Sequence, residues 1–159
     1  MLVRSGFAAL AAGLLFLSPI GPYSIKLLPG DATPNARGTA RLLPNGSPFG
    51  IGVTADGRAS YAVRISAAQL PRPADLGRFT TYVAWAATPD LKQWVRLGVA
   101  RNGSSTVGPV ELNKFLLVIT AEADSAAATH AGPTVLHGTS PSGWLQSFLT
   151  HPLFRGIAQ

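Results

Sequence analysis

The stretch Ser60-Tyr61-Ala62-Val63-Arg64-Ile65-Ser66 alternates without a break. Successive side chains of an extended strand point to opposite faces, so Tyr61, Val63 and Ile65 share one side and Ser60, Ala62, Arg64 and Ser66 the other. That is the pattern of a half-buried β-strand. Upstream, Phe49, Ile51 and Val53 repeat the same period, separated from it by Ala55-Asp56-Gly57. A two-residue turn at Asp56-Gly57 would put the two apolar sets on opposite faces. A three-residue loop with Gly57 in the left-handed position instead opposes Ile51 to Tyr61 and Phe49 to Val63, and one face is then apolar throughout. The same turn chemistry predicts a hairpin around Arg101-Asn102-Gly103, with a loop of two or three residues.

Working outward, residues 79–87 and 115–122 are apolar on both faces, as expected of central strands covered on two sides. They form the predicted heart of the core, with Trp85 inside it. Further strands are predicted at 38–43, 95–100, 106–112 and 134–138. Turn signals recur at short intervals between them, which fits an antiparallel sheet better than alternating strand and helix. The fold class expected is therefore all-β: an antiparallel β-sandwich, immunoglobulin-like in general architecture. One short C-terminal helix follows, in which Ser140 caps, Pro141 opens the first turn, and Trp144, Leu145, Phe148 and Leu149 form one stripe before Pro152.

The composition agrees with such a domain. The chain has 159 residues, 47% hydrophobic and 13% charged, which supports one folded unit with a core. Seventeen Gly and thirteen Pro suit a turn-rich β protein. There is no Cys, which excludes a disulfide framework, a thiolate nucleophile, a thiolate zinc site and a blue-copper ligand set. The net charge is +6, from ten Arg and three Lys against seven acids. These cations are scattered singly along the chain with no run and no interleaved aromatics, which argues against nucleic acid as a partner. Attraction to an anionic envelope or membrane surface fits the charge.

Arg4 followed by the apolar run 7–17 and then Ser18-Pro19 has the layout of a secretory signal. No clean small-x-small cleavage site follows, so an uncleaved N-terminal anchor, with membrane association through residues 5–25, stands beside a cleaved signal peptide. In both cases Arg4 remains inside and the chain beyond residue 25 lies outside the cytoplasm. The organisation expected is a signal peptide or anchor helix at 1–25, a Pro/Gly/Asp/Asn-rich linker at 26–37, the β domain at 38–140, and the helix and tail at 141–159.

Candidate chemistry is sparse. His130, His137 and His151 are the three imidazoles, and their spacing matches no metal motif, so exposed loop or edge positions are expected. Ser140 to Ser147 lie near His137 in sequence but without a nucleophile elbow. Glu122 and Asp124 share a face at the end of a core strand, where an acidic end is ordinarily solvated. Asn45-Gly46 and Asn102-Gly103 lack the following helix that phosphate binding needs and read as turns. No catalytic, cofactor-binding or metal-binding residue is therefore assigned.

The ordered set Tyr82-Val83-Ala84-Trp85, Leu97-Gly98-Val99, Phe115 with Val118-Ile119-Thr120-Ala121-Glu122, and Pro133-Thr134-Val135-Leu136 with Gly138 resembles the extracytoplasmic C-terminal domain of anti-sigma-K factors of the RskA type. The resemblance covers roughly residues 60–140. In that family a cytoplasmic domain holds a sigma factor and one transmembrane helix joins it to the outer β domain. Only four residues precede the apolar segment here, so sigma-factor inhibition does not carry over. A fainter likeness, through residues 47–54 and 76–85, is to exported β modules that accompany multicopper oxidases, without their His-x-His copper pairs. The function expected is a non-enzymatic exported domain, on the periplasmic or extracellular side of the membrane, that binds an envelope protein or cell-surface component. The alternative is an accessory module of an envelope oxidase system, or a metal-binding exported protein using His130, His137 or His151.

Overall fold

The computed structural model describes residues 23–44, 52–53 and 59–141. Over these the protein is all-β and antiparallel, with nine strands and one turn of 3-10 helix at Pro73–Leu76. The strands are β1 (Ser24–Pro29), β2 (Arg37–Pro44), β3 (Gly52–Val53), β4 (Ala59–Ala68), β5 (Thr81–Ala87), β6 (Trp94–Ala100), β7 (Gly103–Val110), β8 (Leu116–Glu122) and β9 (Thr134–Thr139). The order across the sheet is β3-β4-β2-β1-β9-β8-β5-β6, with β7 pairing β4 on the edge opposite β2, beyond the short stretch that β3 takes. Because β6 runs directly into β7 and packs against it, the sheet nearly closes on itself. Among the described residues no helix is long and apolar enough to cross a membrane.

The alternation that begins the sequence argument holds. Val63, Ile65 and Ala67 are buried on one side of β4 while Arg64, Ser66 and Ala68 are exposed on the other. β5 and β8, flanked on both edges by other strands, are buried along almost their whole length on both faces. Tyr82, Ala84, Ala86, Leu117, Ile119 and Ala121 supply the side that joins the main core with Ile25, Val63, Ile65 and Leu136.

Three expectations are corrected. The stretch 26–37 is not a linker, because β1 (Ser24–Pro29) occupies its start and also takes in residues 24 and 25 of the segment predicted at 1–25. Ile25 and Leu27 are buried, with Lys26 exposed between them and Leu28 exposed after them, and this short alternation makes β1. Beyond it, Gly30 N–H donates to the Val135 carbonyl at 2.9 Å, and the buried Thr33 hydroxyl donates to the same oxygen at 2.7 Å. The turn is thereby fixed to β9. Gly30 is required there, since a Cβ would lie 2.0 Å from the Thr134 carbonyl oxygen.

The second correction concerns the hairpin before β4. Gly52 opposes Ser60 and Val53 opposes Ala59, which is the register of a three-residue loop. That register does not continue to Tyr61 and Val63. From Tyr61 onward both edges of β4 are taken, Tyr61 by Pro44 and Val110 and Val63 by Leu42 and Val107. Phe49, Ile51 and the loop itself lie outside the described residues. Third, Arg101-Asn102 does not turn a hairpin: β6 pairs β5 and β7 pairs β4. The connection crosses between halves of the sheet instead. Asn102 anchors it, accepting from Leu70 N–H at 3.0 Å and donating to the Leu70 carbonyl at 2.7 Å, as a backbone partner would.

The predicted export helix up to residue 22, the C-terminal helix beyond Pro141, Trp144 and His151 lie outside the described residues. Ser140, the predicted cap, is buried and ties to the start of β8. Phe115 N–H donates to Ser140 Oγ at 3.0 Å, and Ser140 N–H donates to the Phe115 carbonyl at 2.9 Å.

Candidate functional site: a groove on the outer face of β9-β8-β5-β6

The second face of β5 and β8 turns away from the main core. It carries Val83, Trp85, Val118, Thr120 and Glu122, all buried. Cross-strand register sets Trp85 beside Val118, and Val118 beside His137, which in turn opposes Leu28 of β1. At one end of this face the segment 123–133 folds back over the strands. At the other the face is open and forms a groove.

A buried polar chain holds the folded-back segment. Trp85 Nε1–H donates to Thr120 Oγ1 at 2.8 Å, and the Thr120 hydroxyl donates to Glu122 Oε1 at 2.5 Å. Glu122 also accepts Ala131 N–H, at 3.1 Å and 3.3 Å to its two oxygens, and Gly132 N–H at 3.4 Å. Gly132 meets β8 so closely that a Cβ would lie 1.6 Å from the Ala121 carbonyl oxygen. Arg96 adds a guanidinium bond to the Ser125 carbonyl. A buried carboxylate costs heavily unless its oxygens are satisfied, and these donors satisfy it.

The chain sets His130 in place. Its ring lies 3.7 Å, centroid to centroid, from that of Trp94 and meets Trp85 edge-on at 6.2 Å. Trp94 in turn bounds a groove of about 620 Å3, together with Leu91, Leu116, Val118, Pro133 and His137.

Leu91 is the most telling of these residues. It is exposed and sits at φ +58°, a left-handed conformation that costs a bulky residue about 1–2 kcal/mol. The turn that imposes this is built around Thr88 and Asp90. Leu91 N–H donates to the Thr88 carbonyl at 2.8 Å, and the Thr88 hydroxyl donates to Asp90 Oδ1 at 2.6 Å. Lys92 N–H donates to the same Asp90 oxygen at 3.3 Å. The Thr88 hydroxyl, followed by the Lys92 amide, holds the Asp90 carboxyl below the usual carboxylate range. Trp94 Nε1–H donates to the Leu91 carbonyl at 3.0 Å, so the indole and the leucine are presented as one unit.

The sequence candidates separate as follows. His130 and His137 are both exposed, the first against Trp94 and the second on β9, facing the groove. Among the described residues no group of three metal-ligating side chains comes together. Glu122 and Asp124 are not a working pair. Glu122 is buried in the polar chain, whereas Asp124 is exposed and accepts Ala126 N–H at 2.9 Å in a turn. Sequence reasoning missed Leu91 and the Trp94–His130 stack. Thr88-Pro89-Asp90 carries a turn signal, but nothing local shows that it lifts an apolar side chain into solvent.

No family model matches the chain, and neither a curated protein nor a solved structure does either.

Proposed function

We propose that the protein is an exported, non-enzymatic binding domain, and that this groove takes an extended apolar segment of an envelope protein. The observation that carries the reading is Leu91, an exposed leucine held in a strained backbone conformation beside a half-buried tryptophan. A residue of this kind lowers stability where it stands, and strain of this kind gathers at sites of recognition. The groove's walls are mainly apolar, with the His137 imidazole, the Thr134 hydroxyl and the Asp31 carboxylate at intervals, which suits a chain docked by side-chain pockets and a few polar contacts. The Arg4 and 7–17 pattern supports export, and the likeness to the outer domain of RskA-type anti-sigma-K factors supports a β-sandwich of immunoglobulin-like general architecture working at the membrane's outer side.

The test is affinity capture from membranes with the wild type, Leu91→Gly, Trp94→Ala and the remote Arg78→Gln. A partner recovered by the wild type and by Arg78→Gln, and lost by both groove variants, is the expected result. Recovery of nothing above background across growth conditions, or equal recovery by the groove variants, refutes the reading. Leu91→Gly relieves the left-handed strain, so its stability should match the wild type within about 1 kcal/mol, and loss of binding then reports the side chain.

A further inference from the structure

The opposite half of the sheet, β1-β2-β4-β7, presents a different outer face. Arg41 of β2 and Arg64 of β4 are direct cross-strand partners and both are exposed. Thr106 continues their row on β7. In the next row Lys26 opposes Thr39, and Arg37 stands beyond, at the start of β2; all three are exposed. The four strands of this face contain no acidic residue. The ion pairs among the described residues lie elsewhere, between Arg72 and Asp75 and between Lys92 and Asp90.

Like charges set directly opposite in a sheet are destabilising, so the Arg41–Arg64 pair gains only when something anionic covers it. The fold supplies a position as well as a charge. Ser24, the first residue of β1, is the cross-strand partner of Arg41. The apolar run ends at residue 17, leaving six residues before β1. Six residues span at most about 20 Å. Tyr23, exposed at this end with its ring 6.3 Å from that of Tyr61, adds the aromatic type favoured at membrane interfaces.

We propose that this face rests on anionic phospholipid headgroups, with Arg41, Arg64, Lys26 and Arg37 as the contacting cations; the positional half of the argument rests on the export reading. An apolar segment and a basic patch are two membrane signals whose contributions add. The experiment uses the full chain with vesicles of phosphatidylcholine alone and of phosphatidylcholine with phosphatidylglycerol. Wild type is compared with the double variant Arg41→Gln/Arg64→Gln, and with Arg78→Gln/Lys114→Gln as a control of equal charge loss. Phosphatidylglycerol should raise wild-type binding. That increment should fall about 25-fold in the Arg41/Arg64 variant, roughly fivefold per cation, persist in the control, and weaken with salt.

Absence of the increment in the wild type overturns the proposal, and so does an equal loss in both double variants. Tighter binding to duplex DNA at the same phosphate concentration, lost in the Arg41/Arg64 variant, overturns it in favour of a nucleic-acid surface. Binding to pure phosphatidylcholine reports the apolar run separately. Its absence counts against the anchor, while an increment that depends on Arg41 and Arg64 still upholds the face.

Discussion

Trp85 is both an apolar filler and a hydrogen-bond donor. Its ring is buried on the second face of β5, and its indole N–H begins the chain through Thr120 to Glu122. Trp94, nine positions on, is half exposed and bonds only the Leu91 carbonyl through its nitrogen. Trp85→Ala should therefore cost about 3–5 kcal/mol, a large part of a domain's ~5–15 kcal/mol. Trp94→Ala should cost clearly less. Denaturant midpoints of the two variants measure the contrast, and equal midpoints would show that the covered second face contributes little. Trp85 was legible because it stands in a run apolar on both faces. Glu122 was not, because the same run ends in an acid and nothing in the sequence reveals that Ala131 and Gly132 return to meet it.

At the scale of elements, strand existence was readable wherever the alternation ran for five residues or more, as in β4, and at the continuous apolar runs of β5 and β8. Pairing was readable only locally. The residues 52–53 and 59–60 have the inferred register, yet the ladder stops where β2 and β7 arrive on β4, and partners distant in sequence leave no local trace. β1 was missed because the Pro and Gly that follow it dominate the composition of 26–37, although Ile25 and Leu27 carry the alternation.

The turn at 88–93 makes its own prediction. Asp90 has a depressed pKa in the folded protein, so its contribution is present above the unfolded-state value, about 3.9, and is lost as pH falls through the folded value. Acidification below about pH 4 should loosen the turn, and Trp94 fluorescence should report it. Asp90→Asn should remove that acid step, and a step that survives in this variant would assign the transition to another carboxylate.

Across the whole molecule, the core is assembled without a disulfide, from a sheet that almost closes. Its two outer faces differ in character, one grooved and apolar, the other cationic and rich in hydroxyls. The sequence shows thirteen cations dispersed along the chain, and no inspection of neighbours in sequence would gather Lys26, Arg37, Arg41 and Arg64. Cross-strand register does so, because exposed positions of adjacent strands repeat in rows. The apolar face was equally hidden, since Leu28, Leu91 and Leu116 come from three separate parts of the chain.

β1 zips its first residues to β2 and its last two to β9, so tension arriving from the N-terminal side is delivered to the seam between the two halves. A tug at Tyr23 peels β1 away from Ser24 onward, and both flanking edges are bared before either half unravels. The wall of the groove contributed by Pro29 and Gly30 would leave with it. A partner seated there would thus be released by traction from the N-terminal side, and pulling the chain through a handle at residue 23 in an optical trap should show a short early yield that Ile25→Ala lowers. A single high-force rupture without that step would mean that β1 and its neighbours give way as one body.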